Sequence, residues 1–238
     1  MQKILTLGWS DFRNIFREQI LYFMFVGAPL LQYAVLLWGV PWLIESYPVF
    51  ADYKALMLVF LAQQVVSGIG FVIASILLDE RDEGVLTALR VAPISENTFI
   101  TYRLLLASGV SFVYGLILFS TTGLVQMNLV EIVLAALLLS LVTPLVTLSM
   151  ATFSHNKVEG LAMYKGINLV LMLPAASFFI GNPWSWTMSI VPTFWTYWMA
   201  DQIHVSGNYL PYLFGGVLVH ALLLWFLIRL FKNRVLRA

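Results

Sequence analysis

The chain is 238 residues long, 61% hydrophobic and only 11% charged, with a mean hydropathy of +0.88. A soluble globular domain carries about 25% charged residues, so most of this surface faces lipid or other apolar helices and not water. The net charge of +1 offers nothing to a nucleic-acid partner, and the lack of cysteine excludes disulfides, thiol catalysis and cysteine metal sites.

Residues 1–19 carry Lys3, Asp11, Arg13, Arg17 and Glu18, a charge density that does not fit a cleaved signal peptide. Apolar positions recur at Ile4, Leu5, Trp9, Phe12, Ile15 and Phe16, opposite Lys3, Ser10, Arg13, Asn14 and Arg17. That period predicts an interfacial helix over 1–19, with Trp9 and Phe12 dipped into the membrane surface. An amphipathic cap packed on a helical bundle would show the same pattern.

A membrane span needs about 20 mostly apolar residues, because the hydrocarbon core is about 30 Å thick and a helix rises about 1.5 Å per residue. Six stretches qualify, at 20–44, 55–78, 104–126, 132–153, 166–181 and 211–231. The fifth is short, and an aromatic stretch from Pro183 to Met199 follows it. That stretch is expected to re-enter the membrane without crossing. The distribution of Lys and Arg supports six spans: alternate sides then hold twelve and one of them, and the richer side is cytoplasmic by the positive-inside rule. A seventh span would put the four C-terminal cations outside. The expected fold is therefore an all-α integral membrane protein with six transmembrane helices, a single domain over 1–238, multi-pass in the plasma or inner membrane, with both termini cytoplasmic. Pro29, Pro144 and Pro174 are expected to kink spans one, four and five.

Two cytoplasmic connections are substantial, 79–103 and 154–165. The first reads Asp79-Glu80-Arg81-Asp82-Glu83-Gly84-Val85-Leu86-Thr87-Ala88-Leu89-Arg90-Val91-Ala92-Pro93-Ile94-Ser95. Gly84 can end a helix. Val85, Leu86 and Leu89 fall on one face of a short helix, which Pro93 stops. Ser95 can cap the next one. The result is a short amphipathic hairpin between two membrane helices; a solvated loop whose charges mark the membrane boundary is the simpler alternative.

The pattern Glu80-Arg81, Glu83-Gly84, Leu86, Leu89 and Pro93-x-Ser95 resembles the signature of ATP-binding-cassette type-2 permeases. The match is closest to drug-export permeases of that class, among them fluoroquinolone exporters, in which a Tyr-Arg pair like Tyr102-Arg103 follows and a segment like Asn156 to Ala162 precedes span five. Val85 stands where Thr is common and Thr87 where an acid is common. The resemblance implies six-span subunits paired around a path, and a connection between spans two and three that couples to a separate ATPase. Glu80, Arg81, Glu83, Gly84, Leu86, Leu89, Pro93 and Glu159 are the candidate coupling residues. ATP and Mg would sit on the partner, since no G-x-x-x-x-G-K-[ST] run occurs in this chain. No cofactor or metal is expected here, and the chain is expected to be a transport subunit, not an enzyme.

The segment 182–210 holds no Lys or Arg but is dense in Trp and Tyr. It reads as an aromatic belt, or as an external cap on a translocation path formed by Phe194, Trp195, Tyr197 and Trp198. Asp201 and His204 have metal-pair spacing, but two residues are too few for a site. His220 is the ionisable residue midway along the last span, expected to hydrogen-bond a neighbouring helix as a neutral imidazole. Ion-coupled transporters carry acids within the membrane, and their scarcity here favours an external energy source. Small and polar positions, Gln63, Gln64, Ser67 and Gly70 to Ala74 in span two and Ala107, Ser111 and Gly115 in span three, predict close helix packing, within one subunit or between two.

The expected function is the permease of an ATP-driven exporter of hydrophobic or amphiphilic compounds such as drugs. The alternatives are a non-transporting scaffold or immunity-type membrane protein, and an ion-coupled transporter that depends on His220. An intramembrane enzyme lacks a recognisable site.

Overall fold

The computed structural model describes residue 13 and residues 15–84, 96–180 and 183–236. The described residues are helical and contain no strand. Six helices among them are long and apolar enough to cross a membrane: Gln19–Ser46, Pro48–Asp82, Ile100–Thr121, Leu129–Phe153, Lys157–Phe178 and Leu210–Val235.

Most of the expected interfacial helix, 1–12 and 14, lies outside the described residues. Arg13 and Ile15–Arg17 are helical, and the chain bends at Glu18, whose backbone is extended. Helix α1 (Gln19–Ser46) follows. It is not a uniform α-helix, because π turns occupy Phe23–Gly27 and Val35–Gly39, just ahead of Pro29 and Pro41. A proline has no N–H for the carbonyl four residues back, so Pro29 leaves the Phe25 carbonyl without its helical donor. The Tyr114 hydroxyl donates to that carbonyl at 2.9 Å.

Helix α2 (Lys54–Asp82) is the axis of the bundle. All but a few of its residues from Ala55 to Leu78 are buried, whereas α1 and the last span leave most of their length facing outward. The helix runs past the expected end of the second span, so Asp79 to Asp82 form its last turn and not a loop. Helix α3 (Glu96–Thr121) starts well before the expected start of span three and ends five residues short of its expected end. The fourth span is two helices, α4 (Leu129–Ser140) and α5 (Val142–Phe153), joined at Leu141. Pro144 lies in the first turn of α5, where a missing N–H costs least, so the expected kink takes the form of a break three residues earlier. Asn128 caps α4 in a capping box with Glu131.

Helix α6 (Lys157–Met172) also differs from expectation. The fifth span begins at Lys157 and not near 166, which shrinks the 154–165 connection to Ser154, His155 and Asn156. Asn156 accepts the Glu159 N–H at 3.0 Å and so starts the helix at its polar end. At the other end Pro174 cannot bond the Val170 carbonyl, and the Leu173 N–H takes it up instead as the helix tightens into the 3₁₀ segment Leu173–Phe178. A second 3₁₀ segment, Trp184–Ile190, leads to α7 (Thr193–His204) and then α8 (Leu210–Phe231).

Close packing of small residues lies within the chain. A Cβ on Gly70 would fall 2.8 Å from the Thr143 carbonyl oxygen and 2.8 Å from Val146 Cβ, so α2 and α5 touch backbone to backbone there. Thr143 and Thr147 donate from α5 to the Val66 and Gly70 carbonyls of α2 at 3.0 and 3.1 Å. Ser111 on α3 lies 2.5 Å from the Thr143 hydroxyl, and Gly115 admits Ala136 of α4. In lipid, helices gain nothing by hiding apolar surface from one another. Small side chains and hydroxyl-to-carbonyl bonds therefore hold this core. The outward faces stay apolar: Leu30, Leu31, Trp38 and Trp42 on α1, and Phe214, Leu218, Leu222 and Phe226 on α8, are all exposed.

Candidate functional site

Three polar or aromatic clusters interrupt the apolar bundle. They lie at the cation-rich end, within the membrane core and at the aromatic end.

At the cation-rich end, the last turn of α2 places four charged side chains around the root of the 79–103 connection. Gly84, with φ of +74°, supplies the left-handed turn that ends the helix, and its N–H bonds the Arg81 carbonyl at 3.1 Å. Glu80 points inward and pairs through both carboxylate oxygens with the guanidinium of Arg103 on α3, whose side chain is 2% exposed against 16% for Glu80. Arg81 turns the other way. Its guanidinium donates to the Ala151 and Ser154 carbonyls, acceptors at the end of α5 that have no helical donor of their own. Lys157, the first residue of α6, bridges Glu18 at 2.5 Å and Asp79 at 2.9 Å. One cation thus joins the bend before α1 to the ends of α2 and α6.

These contacts sort the candidate coupling residues. Glu80, Arg81 and Glu159 are engaged inside the chain, Glu159 through the His155 N–H at 2.8 Å. Asp82, Glu83 and Gly84 are exposed. Leu86, Leu89 and Pro93 lie outside the described residues. From sequence, Arg103 enters only as half of the Tyr102-Arg103 pair and Lys157 only within the Asn156 to Ala162 segment, with no buried partner assigned to either. The signal for Arg103 was available, as a lone arginine inside an apolar helix must find a buried partner.

Within the membrane core, amide and hydroxyl groups form two adjacent hydrogen-bonded groups, one between α2 and α7 and one between α2 and α6. Tyr197 donates to Gln63 Oε1 at 2.9 Å. Asn168 Nδ2 donates to Gln64 Oε1 at 2.7 Å, and Ser67 donates to Asn168 Oδ1 at 3.1 Å, with the Tyr164 hydroxyl 3.4 Å away. Gln63, Ser67, Tyr164 and Tyr197 are buried, while Gln64 and Asn168 remain partly open at the surface between α2 and α6. Gln63 and Gln64 were read from sequence as packing positions; Tyr164 and Asn168 were not singled out, because a single polar residue on an apolar helix carries no signal until its partner is known.

At the opposite end, α7 has only 12 residues, about 18 Å of helix, and cannot cross the core. Yet Tyr197 reaches Gln63, nine residues or about 14 Å along α2. Helix α7 therefore packs into the bundle against α2. Phe194 and Tyr197 are fully buried, and Trp195 and Trp198 are half-buried. The Trp195 and Trp198 ring N–H groups donate to the Ser189 carbonyl and the Ser177 hydroxyl, both at 2.9 Å. Burial raises the Asp201 carboxyl above its ordinary pKa, while His204 and a hydrogen bond from Gln202 act the other way. No group of three His, Asp or Glu side chains among the described residues could hold a metal.

His220 departs from expectation. Its ring is 0% exposed, and Nδ1 meets the Gly216 carbonyl of its own helix at 2.8 Å, not a neighbouring helix. The i, i−4 bond pins the ring along α8 and assigns the proton to Nδ1.

Residues 11–228 match the family described as Fluoroquinolones export permease protein Rv2686c-like. Two relatives from Mycobacterium tuberculosis align along nearly the whole chain. These are the fluoroquinolones export permease protein Rv2686c of strain ATCC 25618 / H37Rv and the fluoroquinolones export permease protein MT2760 of strain CDC 1551 / Oshkosh. Each is 28% identical over 245 residues, covering 97% of this chain and 94% of the relative. No solved structure gives a significant match. With its six membrane-crossing helices and a family match that takes in all but the chain's ends, this multi-pass membrane protein belongs to the Rv2686c-like fluoroquinolones export permease family.

Proposed function

We propose that this chain is the membrane-spanning subunit of an ATP-driven exporter of hydrophobic or amphiphilic drugs, powered by a separate ATPase subunit. Two copies form the path between them, both termini are cytoplasmic, and the ATPase docks on the 79–103 connection. ATP and Mg²⁺ are held by the partner, and this chain performs no hydrolysis itself. Family membership and the names of the two relatives support the drug-export part of this reading.

The observation that carries the coupling part is the double commitment of the α2 terminus. Glu80 ties α2 to α3 through Arg103, and Arg81 ties it to the end of α5. Both roots of the connection are thereby fixed to the bundle, so a displacement of the intervening residues moves helices and is not lost in a slack loop. Glu83 and Gly84, exposed at the tip of α2, belong to the docking face together with Leu86, Leu89 and Pro93; Glu80, Arg81 and Glu159 hold that face in place. ATP binding then draws two such connections together and switches the access of the path.

The test is co-purification of the ATPase with the permease, paired with ATP-dependent drug efflux. Glu83→Ala combined with Leu86→Ala should abolish efflux and weaken ATPase capture while leaving the permease folded in the membrane. Unchanged efflux in that variant, or no associating ATPase, rejects the coupling role and returns the scaffold reading.

A further inference from the structure

Four rings from four different segments stand nearly parallel at the aromatic end. Phe178 and Trp198 are 5.1 Å apart between centroids and inclined by 15°, Trp198 and Tyr212 are 6.2 Å apart at 16°, and Tyr212 and Trp186 are 6.1 Å apart at 22°. Trp195 meets this column edge-on, at 73° to Trp186. The column is held in place before any ligand arrives, since the Trp198 and Trp195 ring N–H groups are already bonded to Ser177 and Ser189. It is not sealed: Phe178, Trp198 and Tyr212 are partly exposed, and Trp186 is 45% exposed.

Asp201 lies three positions after Trp198 on α7 and so shares its face. From residue 166 to residue 228 the chain contains no Lys or Arg, and Asp201 is its only acid. Among the described residues no Lys or Arg forms an ion pair with it. A carboxylate taken partly out of water without a cation is costly, and burial does raise this carboxyl. Ordinary packing of a membrane-interface belt accounts for the rings. It gives no reason for a lone, half-buried carboxylate beside them. Parallel aromatic faces and a half-buried carboxylate attended only by His204 and a hydrogen bond from Gln202, with no Lys or Arg paired to it, are together the chemistry that binds a flat organic cation, through stacking, cation–π attraction and charge pairing.

We propose that the column of Phe178, Trp198, Tyr212 and Trp186, edged by Asp201, is a binding site for planar aromatic molecules that carry an ammonium group. The choice of occupant rests on the drug-export reading above; the binding measurement does not require transport.

The experiment uses the purified full-length permease in lipid nanodiscs and the fluorescence polarisation of a piperazinyl fluoroquinolone. Its N-acetyl derivative, with the same rings but no amine charge, is the comparison. The charged form should bind about tenfold more tightly, the size expected of a partly desolvated cation site. Asp201→Asn should remove that preference, Asp201→Glu should retain it, and Trp186→Ala should weaken both forms. Equal binding of the two forms by the unaltered protein, a preference that survives in Asp201→Asn, or binding of neither form overturns the site. Efflux of the same fluoroquinolone from cells expressing the permease with its ATPase is read separately. If efflux is absent while Asp201-dependent binding persists, the site stands and the exporter reading falls. If efflux is normal while binding ignores Asp201, the site falls and the exporter reading stands.

Discussion

The Arg103 guanidinium and the Glu80 carboxylate form a two-pronged ion pair that joins the end of α2 to the start of α3, with Arg103 almost wholly withdrawn from solvent. Breaking such a pair from one side leaves a charge without its partner, which costs about 3 kcal/mol. Arg103→Met and Glu80→Met alone should each lower the apparent unfolding midpoint of the detergent-solubilised protein sharply. The double variant, which removes both charges, should recover much of the loss. Equal losses that simply add would mean the two side chains do not interact.

Tyr114 and Pro29 should be coupled although they do not touch by their own polar groups. Tyr114→Phe deletes the donor to the Phe25 carbonyl, a loss of about 1 kcal/mol. Pro29→Ala restores a backbone N–H able to bond the same carbonyl. In the Pro29→Ala background the Tyr114→Phe penalty should therefore shrink, as a double-mutant cycle of thermal stability would show.

Two glycines should respond oppositely to alanine. Gly70→Ala drives a methyl group against the backbone oxygen of Thr143 and against Val146, and overpacking of this kind costs about 1–3 kcal/mol. Gly109 on α3 has nothing within 4 Å of where its Cβ would lie. Gly109→Ala should be neutral or stabilising by up to about 1 kcal/mol through helix propensity. Thermal scans of the two variants side by side measure the contrast.

Asp201 should give the ligand-free protein a pH-dependent stability of definite sign. Its folded carboxyl holds its proton more tightly than the unfolded one, because burial disfavours the charge. Stability is therefore greatest below the ordinary carboxylate pKa, falls as pH rises from there through the raised folded value, and is level above it. Asp201→Asn should flatten that part of the profile in apparent unfolding midpoints measured across the acid range.

The six spans were legible because lipid imposes a requirement on length and polarity that any sequence must display. Their ends were not, because the helices run on into polar residues. The fifth span was placed too late because Lys157, Glu159 and Lys165 lower its hydropathy, although Asn156 followed by Glu159 is a helix-start signature in its own right. The break at Leu141 was foreshadowed by Pro144 but displaced from it. Which small residues meet was legible only in part: Gly70 and Gly115 were named, and the structure pairs them with Thr143, Val146 and Ala136 inside one chain. The pairings of Arg103 with Glu80, of Lys157 with Glu18, and of Gln64 with Asn168 join positions distant in sequence, and no local pattern announces such partners. His220 drew notice as an intramembrane imidazole, yet the structure gives it a bond to its own helix.

The contact at Gly70 divides α2 into two unequal arms. Glu80 lies ten residues to one side and Gln63 seven to the other, about 15 Å and 10 Å along a helix of 29 residues. The helix is pinned to α5 by backbone contact at the intermediate point, which makes that point a fulcrum. A tilt of α2 about it swings Glu80 one way and Gln63 the other, in a ratio of about three to two. Because Gln63 is bonded to Tyr197, a push at the cation-rich end would arrive at the inserted aromatic helix reversed in direction and reduced in amplitude.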